Sequence, residues 1–303
     1  MSETAATRCG YVALIGAPNA GKSTLLNGLV GAKVSIVSPK VQTTRRRVLG
    51  IAIEGQAQLV FVDTPGIFSP RPGRRLERAM VAAAWEGSED ADVVVLLMDV
   101  TRPDDTDTRA IVERLKAAGR RAVLALNKVD LVKPPVLLAL AQRFAAEGIF
   151  EPIFMISGLS GDGVTDLRKH LAQAVPEGPW LYPEDQLSDL PQRLLAAEVT
   201  REQIFLQLHD ELPYASTVET DKWEERKDGS VRIEQTVFVQ RPSQKAIVLG
   251  EGGQQIKRIG ARARAELETM LGRRVHLFLF VRVEKEWTED RERYEALGLD
   301  YES

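Results

Sequence analysis

Unbroken apolar runs alternate with amphipathic stretches over the first half of the chain. The runs at 11–15, 48–53, 59–62, 93–98, 122–126 and 153–156 carry almost no polar side chain, as strands covered on both faces do. Between the later runs, 75–85, 106–118, 135–146 and 164–174 place apolar residues at helical spacing. This order predicts an α/β domain with a mixed, mostly parallel sheet and helices on both faces. Only a short turn containing Gly55 separates 48–53 from 59–62, so that pair is expected to form an antiparallel hairpin.

The pattern breaks after residue 175. Pro176, Gly178, Pro179 and Pro183 punctuate a linker. The stretch 192–212 then has the periodicity of one long amphipathic helix. Beyond it, 217–226 and 231–240 alternate around Asp228-Gly229, which predicts a second hairpin. Ala246-Ile247-Val248-Leu249 leads into Gly250-Glu251-Gly252-Gly253, followed by a helix at 254–271 and a strand at 275–283. The change of style predicts two domains, 8–176 and 191–303, joined by a linker at 177–190.

Composition narrows the classes. A chain of 303 residues fits about two domains, and 44% hydrophobic with 27% charged residues describes a soluble globular protein. The net charge of −3 gives no global basic character, though a local basic region could be masked. One cysteine, Cys9, excludes an internal disulfide, and three histidines argue against a histidine-based metal site. No apolar run is long enough to span a membrane, and Met1-Ser2-Glu3-Thr4 lacks signal-peptide features. The expected compartment is the cytosol.

The chemistry is concentrated at the ends of the predicted strands. Gly16-Ala17-Pro18-Asn19-Ala20-Gly21-Lys22-Ser23 fits the phosphate-loop pattern between the run 11–15 and a helix beginning at Thr24. Backbone N–H groups and the helix N-terminus attract phosphate; Lys22 adds a point charge, and the Ser23 hydroxyl is placed for magnesium. Asp63-Thr64-Pro65-Gly66 ends another strand. There Asp63 can hold magnesium through water, and the Gly66 N–H can meet a γ-phosphate. Asn127-Lys128-Val129-Asp130 ends a third. The Asp130 carboxylate can accept two hydrogen bonds from guanine that adenine cannot give, Asn127 supports the loop, and Lys128 can lie along the purine. Ser157-Gly158 would turn a backbone N–H toward guanine O6. In the switch stretch Gln42-Thr43-Thr44-Arg45-Arg46 one threonine should complete the magnesium shell. Thr44 is favoured and Thr43 is the alternative.

These motifs resemble the Era family of bacterial ribosome-assembly GTPases, within the translation-factor-related class. Pro179-Trp180-Leu181-Tyr182-Pro183-Glu184-Asp185 and Glu211-Leu212-Pro213-Tyr214 are also similar to that family. The likeness runs across nearly the whole chain. One departure is Gly158, where the family usually has alanine.

Ile67 follows Gly66, where many small GTPases carry a glutamine that orients water. An apolar residue does no such work, so no catalytic side chain is identified and unaided hydrolysis is expected to be slow. The resemblance implies that Asn19 helps hold a potassium ion beside the phosphates in place of an arginine finger.

A Gly-x-x-Gly loop between two helical segments, followed by a strand, is the arrangement of a KH domain of the type II kind. Gly250, Gly252 and Gly253 would admit the RNA backbone, Lys257 and Arg258 would meet phosphates, and Ile247, Val248 and Ile256 would floor a groove for bases. Basic residues outnumber acidic ones by six between 231 and 285, which suits phosphate. Glu251 departs from the basic residue often found in such loops. It keeps open a second reading, a signalling GTPase whose C-terminal domain binds protein. Ile67 supports a third, an assembly placeholder with negligible turnover. The resemblance implies a monomer that binds GTP and GDP, 16S ribosomal RNA near its 3′ end and the 30S subunit, and that associates peripherally with the cytoplasmic face of the inner membrane.

Overall fold

A computed structural model describes residues 6–41, 43–71, 74–285 and 287–302. The expected switch residue Gln42 lies outside them. The chain divides into two compact units. One is Met1–Ser35, Thr44–Asp189 and Glu295–Ser303; the other is Ile36–Thr43 and Leu190–Tyr294.

The first unit carries strands β1 (Arg8–Ile15), β2 (Val48–Glu54), β3 (Ala57–Asp63), β4 (Val93–Asp99), β5 (Ala122–Asn127) and β6 (Phe150–Ile156). They form one sheet in the order β2-β3-β1-β4-β5-β6. The β2–β3 pair is antiparallel, with Val48 opposite Asp63, and the remaining pairs are parallel. Its helices are α1 (Lys22–Val30), α2 (Arg75–Glu89), α3 (Thr106–Ala117), α4 (Pro134–Ala145) and α5 (Val164–Ala174).

Strand alternation sorts the apolar residues into two cores. Val12, Leu14, Val95, Leu97, Val123 and Ala125 pack with Leu25 and Leu29 of α1 and Leu167 and Leu171 of α5. Their neighbours Ala13, Ile15, Val94, Leu96, Leu124 and Leu126 pack with Trp85 of α2, Ile111 of α3 and Phe144 of α4. On this second face Cys9, Leu49, Val60 and Val62 form a cluster on which Trp180 and Tyr182 pack.

Residues 177–189 of the stretch expected as a linker therefore belong to the first unit. The Gln58 side chain, fully buried, accepts the N–H groups of Leu181 and Tyr182 and donates to the Tyr182 carbonyl. Asp189 accepts the Leu49 N–H, and Ser188 donates to the Leu49 carbonyl.

The second unit opens with α6 (Gln192–Gln207), then β7 (Ser216–Glu225), β8 (Val231–Val239), α7 (Pro242–Leu249), α8 (Gln254–Leu271), β9 (Val275–Val283) and α9 (Arg291–Ala296). The sheet order is β7-β8-β9, antiparallel then parallel. The single helix expected at 192–212 stops at Gln207. Leu208 turns to extended backbone and Asp210 takes φ 54°. Leu208 and Leu212 are still buried with Ile204, so the spacing that suggested helix is met by a folded turn. Segment 36–43 is held in this unit: the Val37 N–H donates to Glu202 at 2.7 Å, Lys40 donates to the Phe205 and Leu208 carbonyls, and Arg201 donates to the Thr43 carbonyl.

Candidate active site and nucleic-acid interface

Four loops meet at the carboxyl ends of β1, β3, β5 and β6, where open α/β sheets bind ligands. Loop 16–23 runs from β1 into α1. Lys22 is buried there, and its ammonium donates to the Gly16 and Ala17 carbonyls at 2.9 and 3.0 Å. Burial pushes its pKa down to about 8, with Asp63 acting in the opposite direction. Asn19 takes a left-handed φ of 64° within the loop.

Asp63, the last residue of β3, is fully buried. Its Oδ2 accepts from Ser23 Oγ and Ser35 Oγ, each at 2.8 Å, and from Thr44 Oγ1 at 3.5 Å. Ser23 and Thr44 hydroxyls lie 2.9 Å apart. Among the described residues, Asp63 Oδ1 is buried with no hydrogen-bond partner. Burial raises the pKa of this carboxyl, while Lys22 and the three hydroxyls work against it. A cluster of carboxylate and hydroxyl oxygens with one buried acceptor unused suits a hard cation such as magnesium.

Thr43 stands elsewhere: its hydroxyl bonds Ser38 and the Lys40 carbonyl. Arg45 is buried and Arg46 half-buried. Ser35 was not among the sequence candidates. Its signal is Asn27, a polar residue in the apolar helix α1, whose side chain binds the Val34 N–H and both backbone groups of Ser35.

Gly66 comes so close to the phosphate loop that a Cβ would sit 3.0 Å from the Pro18 backbone. Thr64 is buried and donates to the Leu14 carbonyl. The Ile67 N–H donates to the Gly16 carbonyl at 3.1 Å. The Ile67 side chain belongs to the core, 5% exposed.

At the other end of the site, Asn127 spans two loops. Its Nδ2 donates to the Ala20 carbonyl at 2.8 Å and its Oδ1 accepts the Gly158 N–H at 2.9 Å. Lys128 has φ 69° and donates to Asp99 at 2.6 Å. Burial raises the Asp99 pKa, but bonds from Lys128 and Thr101 outweigh it and hold the carboxyl below its usual range. Asp130 is exposed in the short turn Val129–Leu131. Ser157 is buried, with its N–H on the Asp162 carbonyl. A Cβ at Gly158 would meet Leu25 at 3.4 Å, ordinary contact.

In the second unit the loop Gly250-Glu251-Gly252-Gly253 joins α7 to α8. Gly250, Gly252 and Gly253 all have positive φ, a conformation costly for other residues. Glu251, Lys257 and Arg258 are exposed, and Arg258 bonds Gln255. Ile256, Lys257, Gly260, Ala261 and Arg264 of α8 face Leu277–Leu279 (277–279) of β9 across a groove of about 300 Å³. Two expected floor residues are not in it. Val248 is fully buried in the core, and Ile247 opens on a separate hollow beside residues 207–212. A helix has one face toward the core, and α7 turns Val248 to it.

A family model described as 50S ribosome-binding GTPase matches residues 11–128, and a KH domain model matches 211–288. The chain is 59% identical over 300 residues to GTPase Era of Brucella suis biovar 1 (strain 1330), an alignment covering 99% of this chain and 96% of the relative. This chain belongs to the Era family of GTPases. GTPase Era of Bradyrhizobium diazoefficiens is 60% identical over 297 residues, covering 98% and 96%. A crystal structure of Era with MgGDPNP and nucleotides 1506–1542 of 16S ribosomal RNA superposes with a TM-score of 0.91 at 38% identity, covering 96% of this chain and 99% of that one. A variant of Aquifex aeolicus Era bound to GDP·AlF4− gives the same figures. The Era family is a family of GTP-hydrolysing enzymes, and the fold is a P-loop GTPase domain followed by a KH domain.

The buried ammonium sets a pH dependence. Phosphate favours charged Lys22, so above pH 8 the nucleotide-free protein must take up a proton to bind GDP. Affinity should fall between pH 8 and 10, by up to about tenfold per unit. Calorimetry in two buffers of different ionisation heat would show the proton uptake; a flat affinity across that range would refute it.

Proposed function

We propose that the protein is a GTP-hydrolysing switch that binds 16S ribosomal RNA near its 3′ end and assists assembly of the 30S subunit. The observation that carries this is one chain holding both the Asp63 oxygen cluster beside a phosphate loop and a Gly-x-x-Gly loop leading into a helix whose Lys257 and Arg264 line a groove, with an Era relative matched over 99% of this chain.

In this reading residues 16–24 and the Gly66 N–H hold the phosphates. Ser23 and Thr44 would hold magnesium directly and Asp63 through water, and the ion would supply positive charge against the phosphates. The unused Oδ1 of Asp63 and the Ser23–Thr44 spacing support those assignments. Asn127, Lys128, Asp130, Ser157 and Gly158 form the guanine site. Lys128 held on Asp99 is positioned for the purine face.

Water attacks the γ-phosphate in line without a side chain from position 67. Asn19 is assigned to potassium, whose charge would stand where an arginine finger otherwise acts. The buried Ile67 supports the need for such help. Thr44 carries the γ-phosphate signal, and the preceding segment 36–43 passes it to α6 through Glu202, Arg201 and the Lys40 contacts. RNA occupies the α8–β9 groove on Gly250, Gly252, Gly253, Ile256, Lys257 and Arg258. The protein is placed in the cytosol as a monomer, with peripheral membrane contact carried over from the family resemblance alone.

Three measurements test this reading. Asp130→Asn should weaken guanine nucleotides at least tenfold, since a hydrogen bond to a charged group contributes about 1.5–3 kcal/mol, and favour xanthine nucleotides; unchanged preference would remove Asp130 from the base site. Potassium should raise hydrolysis over sodium, and equal rates would release Asn19. Affinity for the 3′ end of 16S RNA should fall about tenfold from a GTP analogue to GDP, within the usual coupling range. Equal affinities would break the link.

A further inference from the structure

The sheet of the second unit has one face packed under helices and one face open. Val231, Ile233, Val237 and Val239 of β8 point to the core, as do Leu277, Leu279, Val281 and Val283 of β9. The alternate residues of β9, His276, Phe278, Phe280 and Arg282, point the other way. The C-terminal segment covers one end of this face: Arg293 lies 4.3 Å over the Phe238 ring and pairs with Glu219. It leaves Phe278 and Phe280 exposed, 43% and 53%.

Two bare rings at i and i+2 on one strand stand about 7 Å apart. The Arg232 guanidinium already lies 4.9 Å over the Phe278 ring, anchored by Glu234 at 2.6 Å. Arg282 continues the line, exposed. Phe278 also lines the α8–β9 groove on the strand's other side. Thus β9, paired among the described residues only with β8, separates the groove from the Phe280 ring by its own width.

We propose that Phe278 and Phe280 form a stacking platform for two bases of single-stranded RNA leaving the α8–β9 groove across the edge of β9. The platform rests on the RNA-binding reading above. Aromatic rings beside guanidinium groups stack any base through its π-face, and the cations meet the phosphates. A protein partner fits less well. Stable protein interfaces bury about 800 Å² per partner, several times what two half-exposed rings offer, and an apolar one would desolvate Arg282. A KH groove clamps about four nucleotides, so the platform extends the site beyond that length.

The test uses the full chain with a GTP analogue and magnesium. Two RNAs are compared: a four-nucleotide strand that fills the groove, followed by NMR titration, and a strand of about twelve nucleotides from the 16S 3′ end, followed by fluorescence anisotropy. The Phe280→Leu variant, whose ring is not part of the groove lining, should bind the long RNA roughly five- to a hundredfold more weakly and the short RNA as the parent does. The Phe278→Tyr/Phe280→Tyr variant should bind both as the parent does, since stacking survives. Unchanged affinity of the leucine variant for the long RNA overturns the platform, as does equal loss for both RNAs. Unchanged RNA affinity with loss of binding to intact small subunits assigns the face to a protein and also overturns it. Gly252→Asp, which has open space around it, probes the groove separately. If it alters neither affinity the groove reading fails, whatever the rings do.

Discussion

A carboxylate sealed inside a protein must find cations and donors or give up its charge. Asp63 is in that position at the end of β3. Three hydroxyls converge on one of its oxygens, from Ser23 of α1, from Ser35 after α1 and from Thr44, four residues before β2. The polar segments between α1 and β2 are thereby organised around a single charge. Lys22, itself buried, supplies the nearest compensating cation. The site is built from groups that destabilise one another's charged forms by burial and stabilise them by proximity. Phosphate and a divalent cation add to that balance rather than create it.

The sequence was most informative where side chains carry strict periodicity. The α5, α8 and β9 limits coincide with the expected ones, because Gly163, Gly253 and Gly272 mark helix ends in left-handed conformation. Each phosphate and base motif lies at a strand's carboxyl end, as its apolar run implied. What periodicity could not reveal was cooperation between distant segments. Leu208 and Leu212 look helical because both must be buried, yet a turn buries them as well as a helix would. Val248 looked available to a ligand because its neighbours are, but only three-dimensional packing decides which face of α7 is inside. Ser35 is an ordinary serine until Asn27 draws its backbone beside Asp63.

The second unit separates two tasks on the two sides of one strand. The inward residues of β9 complete a core and a groove wall, whereas the outward ones keep aromatic area in water. Leaving such rings bare forgoes stabilisation that burial would give. Gly250-Glu251-Gly252-Gly253 shows a similar local compromise, with three positive φ angles within four residues. Glu251 points to solvent at that loop, and the groove's charge comes from the first turns of α8.

The Pro-rich stretch that looked like a tether is bonded residue by residue to β2 and β3, and its aromatic side chains roof Cys9, Val60 and Val62. This alters what an isolated GTPase fragment would be. A chain cut after residue 176 would lose its roof and present a sticky apolar sheet face to its neighbours in solution. A chain cut after Asp189 would retain it. The shield over the sheet therefore runs to Asp189, fifteen positions beyond Ala174, where α5 stops.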